Sequence, residues 1–247
     1  MGSTGRRYRS GIDEAPLPHP FIEAFGRPTW RELRAGREAD ELRRVGVSLG
    51  GGEGRPLVLT PGFCGSADTL STLIAWLKSG GYDVRVAKLE RNVRGSGWAV
   101  DRIIEGLEHS ERPAILLGHS RGGQQSRIAA ARRPELIAKL ITLGAPLNTH
   151  VPRHFALRAA VESLRIASRA GLYKPEDWPG DAEYAEELQQ PFTADVHWTT
   201  IWSKNDGFVA WQACQDPAAV DLEADCSHRG LVESVPSFEA IKSALAD

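Results

Sequence analysis

The hydrophobic positions change their spacing along the chain, and from residue 55 onward two spacings alternate. Short apolar runs predict strands, and apolar residues three and four apart predict the helices between them. The predicted strands are Pro56–Thr60, Tyr82–Ala87, Ala114–Gly118, Lys139–Leu143, Val196–Ser203 and Val220–Ala224. The predicted helices are Ser66–Ser79, Gly97–His109, Ser120–Arg132 and Ser234–Leu245. Strands separated by helices favour an α/β fold with a mostly parallel central sheet and helices on both faces.

The region before the first strand has a different pattern. Residues 1–28 contain four prolines and predict a loose arm. Thr29 and Glu32 have the spacing of a capping box, which predicts a helix that starts there and stops near Gly46. Its apolar face is expected to hold Trp30, Leu33, Leu42 and Val45. Residues 1–54 are therefore interpreted as an N-terminal arm and helix, and residues 55–247 as the main domain.

A second interruption falls late in the chain. Nearly fifty residues, about 148–195, separate two predicted strands and begin with the helical run Arg153–Ala170. Insertions at this position of an α/β fold often cover a binding cleft. We expect this segment to form a helical cap or lid over one end of the sheet.

Composition narrows the class of protein. The chain has 247 residues, 30 Lys and Arg, 32 Asp and Glu, and a formal net charge of −2. This balance argues against a protein that coats nucleic acid, because such proteins carry a strongly basic surface. Nothing approaches the roughly 20 apolar residues of a membrane span, and no secretory signal is visible, so a cytoplasmic location is expected. The oligomeric state is left open.

The three cysteines do not suggest a disulfide scaffold. Cys64 is remote in sequence from Cys214 and Cys226. The latter two could form a bridge, although free thiols are the expected state. No His, Cys or Asp cluster has the spacing of metal ligands, so no metal is expected.

The most informative motif is Gly118-His119-Ser120-Arg121-Gly122-Gly123. It follows a predicted buried strand and opens a predicted helix, which is the context of a nucleophile elbow. A nucleophile on so tight a turn needs small neighbours, which Gly118 and Gly122 supply. The motif predicts that Ser120 is a catalytic nucleophile.

A serine nucleophile needs a base and an acid to orient that base. In folds with such an elbow, the acid and then the histidine follow the serine along the chain. Among the seven histidines, only His228 follows the last predicted strand. Asp206 is the best candidate for the acid, because it comes just after a predicted strand and precedes Gly207. Asp225 also follows a strand, but it is too close to His228 in sequence.

An oxyanion hole needs two N–H donors. One is expected to be the amide of Arg121, directly after the nucleophile. The other is expected from the loop after the first strand, with the amide of Phe63 preferred and that of Cys64 as the alternative.

With these motifs in this order, the chain resembles the α/β-hydrolase superfamily, and within it the lipase- and esterase-like serine hydrolases. The resemblance spans about residues 55–245. It rests on Pro61-Gly62-Phe63, Gly118–Gly123, Leu143-Gly144-Ala145-Pro146-Leu147, Asp206-Gly207-Phe208-Val209 and His228-Arg229-Gly230-Leu231. It implies the α/β-hydrolase fold, a Ser120–His228–Asp206 triad and an acyl-enzyme mechanism without a cofactor.

The expected activity is hydrolysis of a small-molecule carboxylic ester. The same triad could serve a thioesterase, a C–C bond hydrolase or a cofactor-free perhydrolase. A protein of this fold that binds a ligand without turning it over is a further alternative from a different class.

Overall fold

Six parallel strands form one sheet in the computed structural model, which describes residues 29–147 and 182–246. In chain order the strands are β1 Pro56–Thr60, β2 Asp83–Val86, β3 Ala114–His119, β4 Ile137–Leu143, β5 Trp198–Trp202 and β6 Val220–Glu223. Their order across the sheet is β2-β1-β3-β4-β5-β6, and each neighbouring pair is parallel. The α/β architecture expected from the sequence, with a parallel central sheet and helices on both faces, is confirmed.

Helices connect the strands. The α-helices are α1 Ala35–Val45, α2 Ser71–Ser79, α3 Ser96–Glu108, α4 Arg121–Arg132, α5 Ala182–Gln189 and α6 Val235–Ala246. Short 3₁₀ helices cover Thr29–Arg34, Asp68–Leu70, Glu90–Asn92, Pro134–Leu136, Trp211–Cys214 and Arg229–Val232. The predicted strands and helices from residue 55 onward are present, with their ends moved by at most five residues.

Side chains that alternate along the strands divide the core into two layers. Leu57, Leu59, Ile115 and Leu117 belong to a cluster that includes α2 and α6, with Leu73, Leu77, Phe238 and Ile241. Val58, Leu116, Leu140 and Trp198 belong to a second cluster that includes α3 and α4, with Ile103, Leu107, Ile128 and Ala129. Because these side chains are buried on both faces of the sheet, each Leu, Ile, Val and Phe among them contributes roughly 1.5–3 kcal/mol through the hydrophobic effect.

The order of the strands determines where a cleft can form. The chain runs outward from β1 to β2, and then returns to place β3 on the other side of β1. The loops after β1 and β3 therefore leave the sheet in opposite directions, and a crevice opens between them at the carboxyl ends of the strands. The loop that begins at Pro61 and the turn at Ser120 lie at this point.

The N-terminal prediction is wrong in its details. Thr29–Arg34 is a 3₁₀ helix, α1 begins at Ala35, and the Glu32 carboxylate accepts hydrogen bonds from distant loops instead of capping a helix. Trp30 and Leu33 are 64% and 82% exposed, and Val45 is also exposed. The buried side chains of α1 are Ala35, Glu38, Ala39 and Leu42. The predicted stop is confirmed, since the Gly46 N–H donates to Leu42 O at 2.9 Å with φ +70°.

Two predicted segments lie wholly or mostly outside the described residues. These are the arm of residues 1–28 and residues 148–181 of the expected cap, which include His150, His154 and Trp178. Of the expected insertion, only α5 and the stretch that leads into β5 are described.

All three cysteines are free thiols, with Cys64 exposed and Cys214 and Cys226 buried. Within residues 29–147 and 182–246, no helix combines the length and the apolar character that a bilayer crossing requires. Across the same described residues, His, Cys, Asp and Glu do not form a group of three that could hold a metal ion.

Candidate active site

Ser120 stands between β3 and α4 in a backbone conformation that L-residues rarely adopt. Its φ and ψ are 54° and −123°, and its N–H donates to Leu143 O at 2.8 Å. Residues in such regions cost about 1–3 kcal/mol and persist only where the surrounding structure enforces them. The turn presents Ser120 to the cleft and places the N-terminus of α4 directly after it.

Glycines around the turn are required by packing. A Cβ at Gly122 would lie 2.4 Å from Thr60 O and 2.5 Å from Pro61 O. A Cβ at Gly118 would lie 2.6 Å from Gly123 Cα. Since real Cβ atoms do not approach backbone atoms so closely, the glycines of the motif let α4 pack against β1 and β3. This packing holds the strained turn.

Asp206 lies in the loop after β5, and its carboxylate is almost completely buried, with 1% of the residue exposed. Oδ1 accepts hydrogen bonds from the N–H groups of Phe208 and Val209, both at 2.7 Å. Oδ2 lies 2.6 Å from Nδ1 of His228. One oxygen therefore fixes the turn that holds the carboxylate, and the other is available to orient the imidazole.

His228 follows β6 and is 7% exposed. Burial alone would lower the pKa of its imidazole, but the charge and hydrogen bond of Asp206 and the charge of Glu32 outweigh burial and raise the pKa. The nearby carboxylates stabilise the imidazolium form. The ring also makes an edge contact with Phe208, with centroids 5.5 Å apart.

The histidine next to the nucleophile contacts His228 as well. The His119 ring lies 4.7 Å from the His228 ring, and its Nε2 is 3.2 Å from His228 O. Burial, followed by the nearby His228, lowers the pKa of His119 to about 3. A neutral His119 can donate its Nε2 proton to that carbonyl oxygen. The sequence analysis did not identify this contact.

Two N-terminal glutamates complete the surroundings of His228, and the sequence analysis did not identify either. Glu32 accepts hydrogen bonds from the backbone amides of Gly207, His228 and Arg229. Glu38 accepts from the amide and hydroxyl of Ser227. Two glycines in the sequence are consistent with this arrangement. A Cβ added at Gly207 or Gly230 would lie within 2.8 Å of one of these carboxylates.

The cleft beside Ser120 has a volume of about 530 Å³. Its walls include Gly62, Phe63, Cys64, Thr69, Phe208, Val209, His228 and Val232. The expected oxyanion donors flank it: Phe63 and the alternative Cys64 line it, and Arg121 follows Ser120 as the first residue of α4. The Arg121 side chain donates to Arg94 O and to Ser96 Oγ.

Three other aspartates that follow Ser120 in the chain have different partners. Asp225 is exposed and accepts a hydrogen bond from Asn205 at 2.6 Å. Asp221 is bonded to Thr200 and Trp202 of β5, and Asp216 pairs with Arg127. Asp206 is thus the one among these four whose carboxylate meets His228.

Comparisons with known proteins agree with the architecture. Residues 98–210 match the family model described as the alpha/beta hydrolase fold. A thioesterase domain from the curacin biosynthetic pathway superposes with a TM-score of 0.54 at 15% identity, over 80% of this chain and 93% of that domain. An alpha/beta hydrolase enzyme from a sediment metagenome of the Mar Chica lagoon, Morocco, gives 0.53 at 20% identity, over 81% and 91%.

A further solved structure comes from work on LipS and LipT, two metagenome-derived lipolytic enzymes. It superposes with a TM-score of 0.54 at 16% identity, over 81% of this chain and 94% of that one. At these identities the structures establish a shared fold. The six-stranded parallel sheet, its flanking helices and the family match together show that the chain has the α/β-hydrolase fold.

Proposed function

We propose that the protein is a serine hydrolase that cleaves a carboxylic ester through an acyl-enzyme intermediate. The observation that carries the proposal is a single cleft lined by both Ser120, on its strained turn, and His228. The imidazole of His228 is itself paired with the buried Asp206, at 2.6 Å. A serine hydroxyl is a poor nucleophile unless a base removes its proton, and a carboxylate-oriented imidazole is such a base.

In the proposed reaction, His228 accepts the Ser120 proton as Oγ attacks the ester carbonyl carbon. The amides of Phe63 and Arg121 donate hydrogen bonds to the developing oxyanion, each worth about 3–4 kcal/mol in the transition state. His228 then protonates the leaving alcohol, and the C–O bond breaks. A water molecule, deprotonated by His228, attacks the acyl-enzyme and releases the carboxylic acid and free Ser120.

The electrostatics of the pair support these roles. The imidazolium that forms during attack is stabilised by Asp206 and Glu32, which is why the pKa of His228 is raised. The raised pKa of His228 also lowers activity at acidic pH, because a protonated His228 cannot accept the Ser120 proton. Activity should therefore fall as the pH drops through the raised pKa of His228.

The walls of the cleft favour an apolar acyl group. Phe63, Phe208, Val209 and Val232 contribute apolar side chains. Ligand sites of this kind combine apolar walls with a few convergent polar groups. The proposed substrate is accordingly a neutral ester with a small apolar acyl chain.

A fluorophosphonate probe tests the nucleophile directly. We expect the wild-type protein to be labelled, and the Ser120→Ala variant to remain unlabelled at equal folded concentration by circular dichroism. A Ser126→Ala variant is the matched control, because Ser126 lies six residues further along, in α4, but bonds to Thr60. Folded wild-type protein that resists labelling would contradict the proposal and favour ligand binding without turnover.

Substrate class is tested with p-nitrophenyl esters from acetate to laurate and with matched acetyl and butyryl thioesters. We expect the highest kcat/KM for a short ester. A thioester preferred over its matched oxygen ester by tenfold or more would replace the ester assignment with a thioesterase.

A further inference from the structure

The carboxylate of Glu32 joins two loops that belong to different strands. Oε1 accepts the N–H of Gly207 at 2.8 Å and the N–H of His228 at 2.9 Å, and Oε2 accepts the N–H of Arg229 at 3.2 Å. Gly207 belongs to the turn of Asp206 after β5, and His228 and Arg229 follow β6. One side chain thus bonds directly to the backbone on both sides of the Asp206–His228 pair.

Backbone amides account for the described partners of this carboxylate. The 3₁₀ helix that carries Glu32 is anchored separately, because Arg31 donates to Lys204 O at 2.9 Å. Hydrogen bonds from neutral amides to an ionised carboxylate are roughly twice as strong as neutral pairs, and a bidentate carboxylate also fixes relative position. The arrangement resists any sliding of one loop past the other.

The loops are shaped to admit the carboxylate. A Cβ at Gly207 would lie 2.8 Å from Glu32 Oε1 and 3.1 Å from Glu32 Cγ. The glycine that follows Asp206 therefore provides the space that Glu32 occupies. A loop built only to turn after β5 would not need this space.

The peptide groups on either side of His228 are held at both ends. Glu32 accepts the His228 N–H, and His119 Nε2 lies 3.2 Å from the His228 carbonyl oxygen. These contacts leave the side chain to be oriented by Asp206 through Nδ1. A backbone fixed in this way limits how far the imidazole can move relative to Ser120.

We propose that Glu32 is a positioning residue of the hydrolytic site, which locks the backbones of Asp206 and His228 into one arrangement before substrate binds. The inference rests on the proposed function and adds a residue, about 200 positions from His228, to the machinery. The role is indirect, since Glu32 acts through the two loops and not on the substrate.

The charged and titratable groups that face His228 come from three elements. They are Asp206 from the loop after β5, Glu32 from the N-terminal 3₁₀ helix and His119 from the end of β3. His119 remains neutral over the working range because its pKa is lowered to about 3. Removing the Glu32 charge should therefore lower the pH at which His228 titrates, with Asp206 intact.

Glu38 offers a control within the same segment. It is more deeply buried than Glu32 and also bonds to the His228 loop, but through Ser227 and not through His228 or the Asp206 turn. Loss of the Glu38 carboxylate should lower the free energy of unfolding while leaving the pKa of His228 unchanged. Glu41, on the exposed side of α1, controls for the loss of charge alone.

The experiment measures kcat and KM for p-nitrophenyl acetate from pH 5 to 9 in Glu32→Gln, Glu32→Asp, Glu38→Gln and Glu41→Gln. For Glu32→Gln we expect kcat to fall about 10- to 100-fold and KM to change less than about threefold. The acidic limb, the fall of kcat with decreasing pH, should move to lower pH. Glu32→Asp, which keeps the charge, should restore the position of that limb and part of kcat. Glu38→Gln should lower Tm without moving the limb.

A second measurement does not depend on turnover. The His228 imidazole is titrated by NMR in Ser120→Ala protein with and without Glu32→Gln, and its midpoint should be lower in the double variant. A folded Glu32→Gln protein with wild-type kcat and an unmoved His228 midpoint overturns the proposal. So does Glu38→Gln if it moves the limb equally. If wild-type protein neither hydrolyses esters nor reacts with fluorophosphonate, the hydrolase assignment fails, while the NMR comparison still decides whether Glu32 is coupled to His228.

Discussion

The turn that carries Ser120 and the loops that carry Asp206 and His228 reach the same cleft, but different contacts fix their backbones. Around Ser120, glycines bring α4 into contact with β1 and β3, and backbone packing enforces the turn. Around Asp206 and His228, the carboxylates of Asp206 and Glu32 accept hydrogen bonds from the amides of buried loop residues. The first region is held by close packing, and the second by charge-assisted hydrogen bonds.

The difference also concerns distance along the chain. The residues that shape the Ser120 turn lie within its own motif, at the end of β1 and its following loop, and at the end of β4. Glu32 is 175 residues from Gly207 and 196 from His228. We conclude that a close-packed turn can be recognised from a short motif, whereas loops held by remote carboxylates cannot. Three predictions test this contrast, in order of decreasing effect.

Replacing Asp206 should have the largest effect on the hydrogen-bonded side. In Asp206→Asn, the side chain can present an N–H₂ group to His228 Nδ1 and select the wrong tautomer, so we expect kcat to fall about 10⁴-fold. Steady-state kinetics with p-nitrophenyl acetate measure this fall. Asp225→Asn is the matched control, since Asp225 is exposed and should retain activity within about threefold. Equal losses in both variants would contradict the assignment of the acid.

Adding one methyl group should have the largest effect on the packed side. The Cβ of Gly122→Ala would lie 2.4 Å from Thr60 O, so the variant should lose about 3 kcal/mol of unfolding free energy and most of its activity. Urea denaturation measures the loss. Gly106→Ala is the control, because a Cβ there meets no atom within 4 Å in α3 and should add about 0.5–1 kcal/mol. An unchanged Gly122→Ala midpoint would mean that the turn is not held by packing.

The two neighbouring histidines should give the smallest effect, and their pKa values are shifted in opposite directions. Folding lowers the pKa of His119 to about 3. Below about pH 6.5 His119 is therefore protonated in the unfolded chain but neutral in the folded chain. His119 therefore costs stability as the pH falls below about 6.5, by at most about 1.4 kcal/mol per pH unit. The raised pKa of His228 works the other way: its stabilising contribution is complete below about pH 6.5 and is lost as the pH rises through its folded pKa.

This contrast is measured by urea denaturation of wild type and His119→Gln at pH 7.5, 6.5 and 5.5. The variant should be less stable at pH 7.5, and the gap should narrow toward pH 5.5, because only the wild type loses the His119 contribution. A gap that stays constant over this range would mean that His119 is not neutral in the folded protein.

Prediction from sequence succeeded where local pattern and packing coincide. The sequence pattern predicted all six strands: β1, β3, β4 and β5 are almost wholly buried, whereas the edge strands β2 and β6 are exposed or half-buried. The elbow motif predicted the position of Ser120, and the order of the strands predicted that Asp206 and His228 lie at the same edge. Their chemical roles remain predictions for the experiments above.

Prediction failed at the N-terminus because local spacing and tertiary contact disagree. Thr29 and Glu32 have the spacing of a capping box, but the Glu32 carboxylate instead accepts hydrogen bonds from amides of two distant loops. Leu33 fits an apolar stripe, yet it is 82% exposed because the segment turns its acidic side chains inward. Glu38 shares the helical spacing of the buried Ala35, Ala39 and Leu42, but a carboxylate at that position does not predict burial unless its partner, Ser227, is known.

The hydrogen bonds that Glu32 and Glu38 accept lead to a different description of the N-terminal segment. Four backbone amides, those of Gly207, Ser227, His228 and Arg229, form an anion-binding surface behind the His228 loop. Residues 29–45 are then a tethered ligand for that surface, held by residues 46–55 at the high effective concentration of an intramolecular partner. A protein shortened to begin at β1 would leave that binding surface empty.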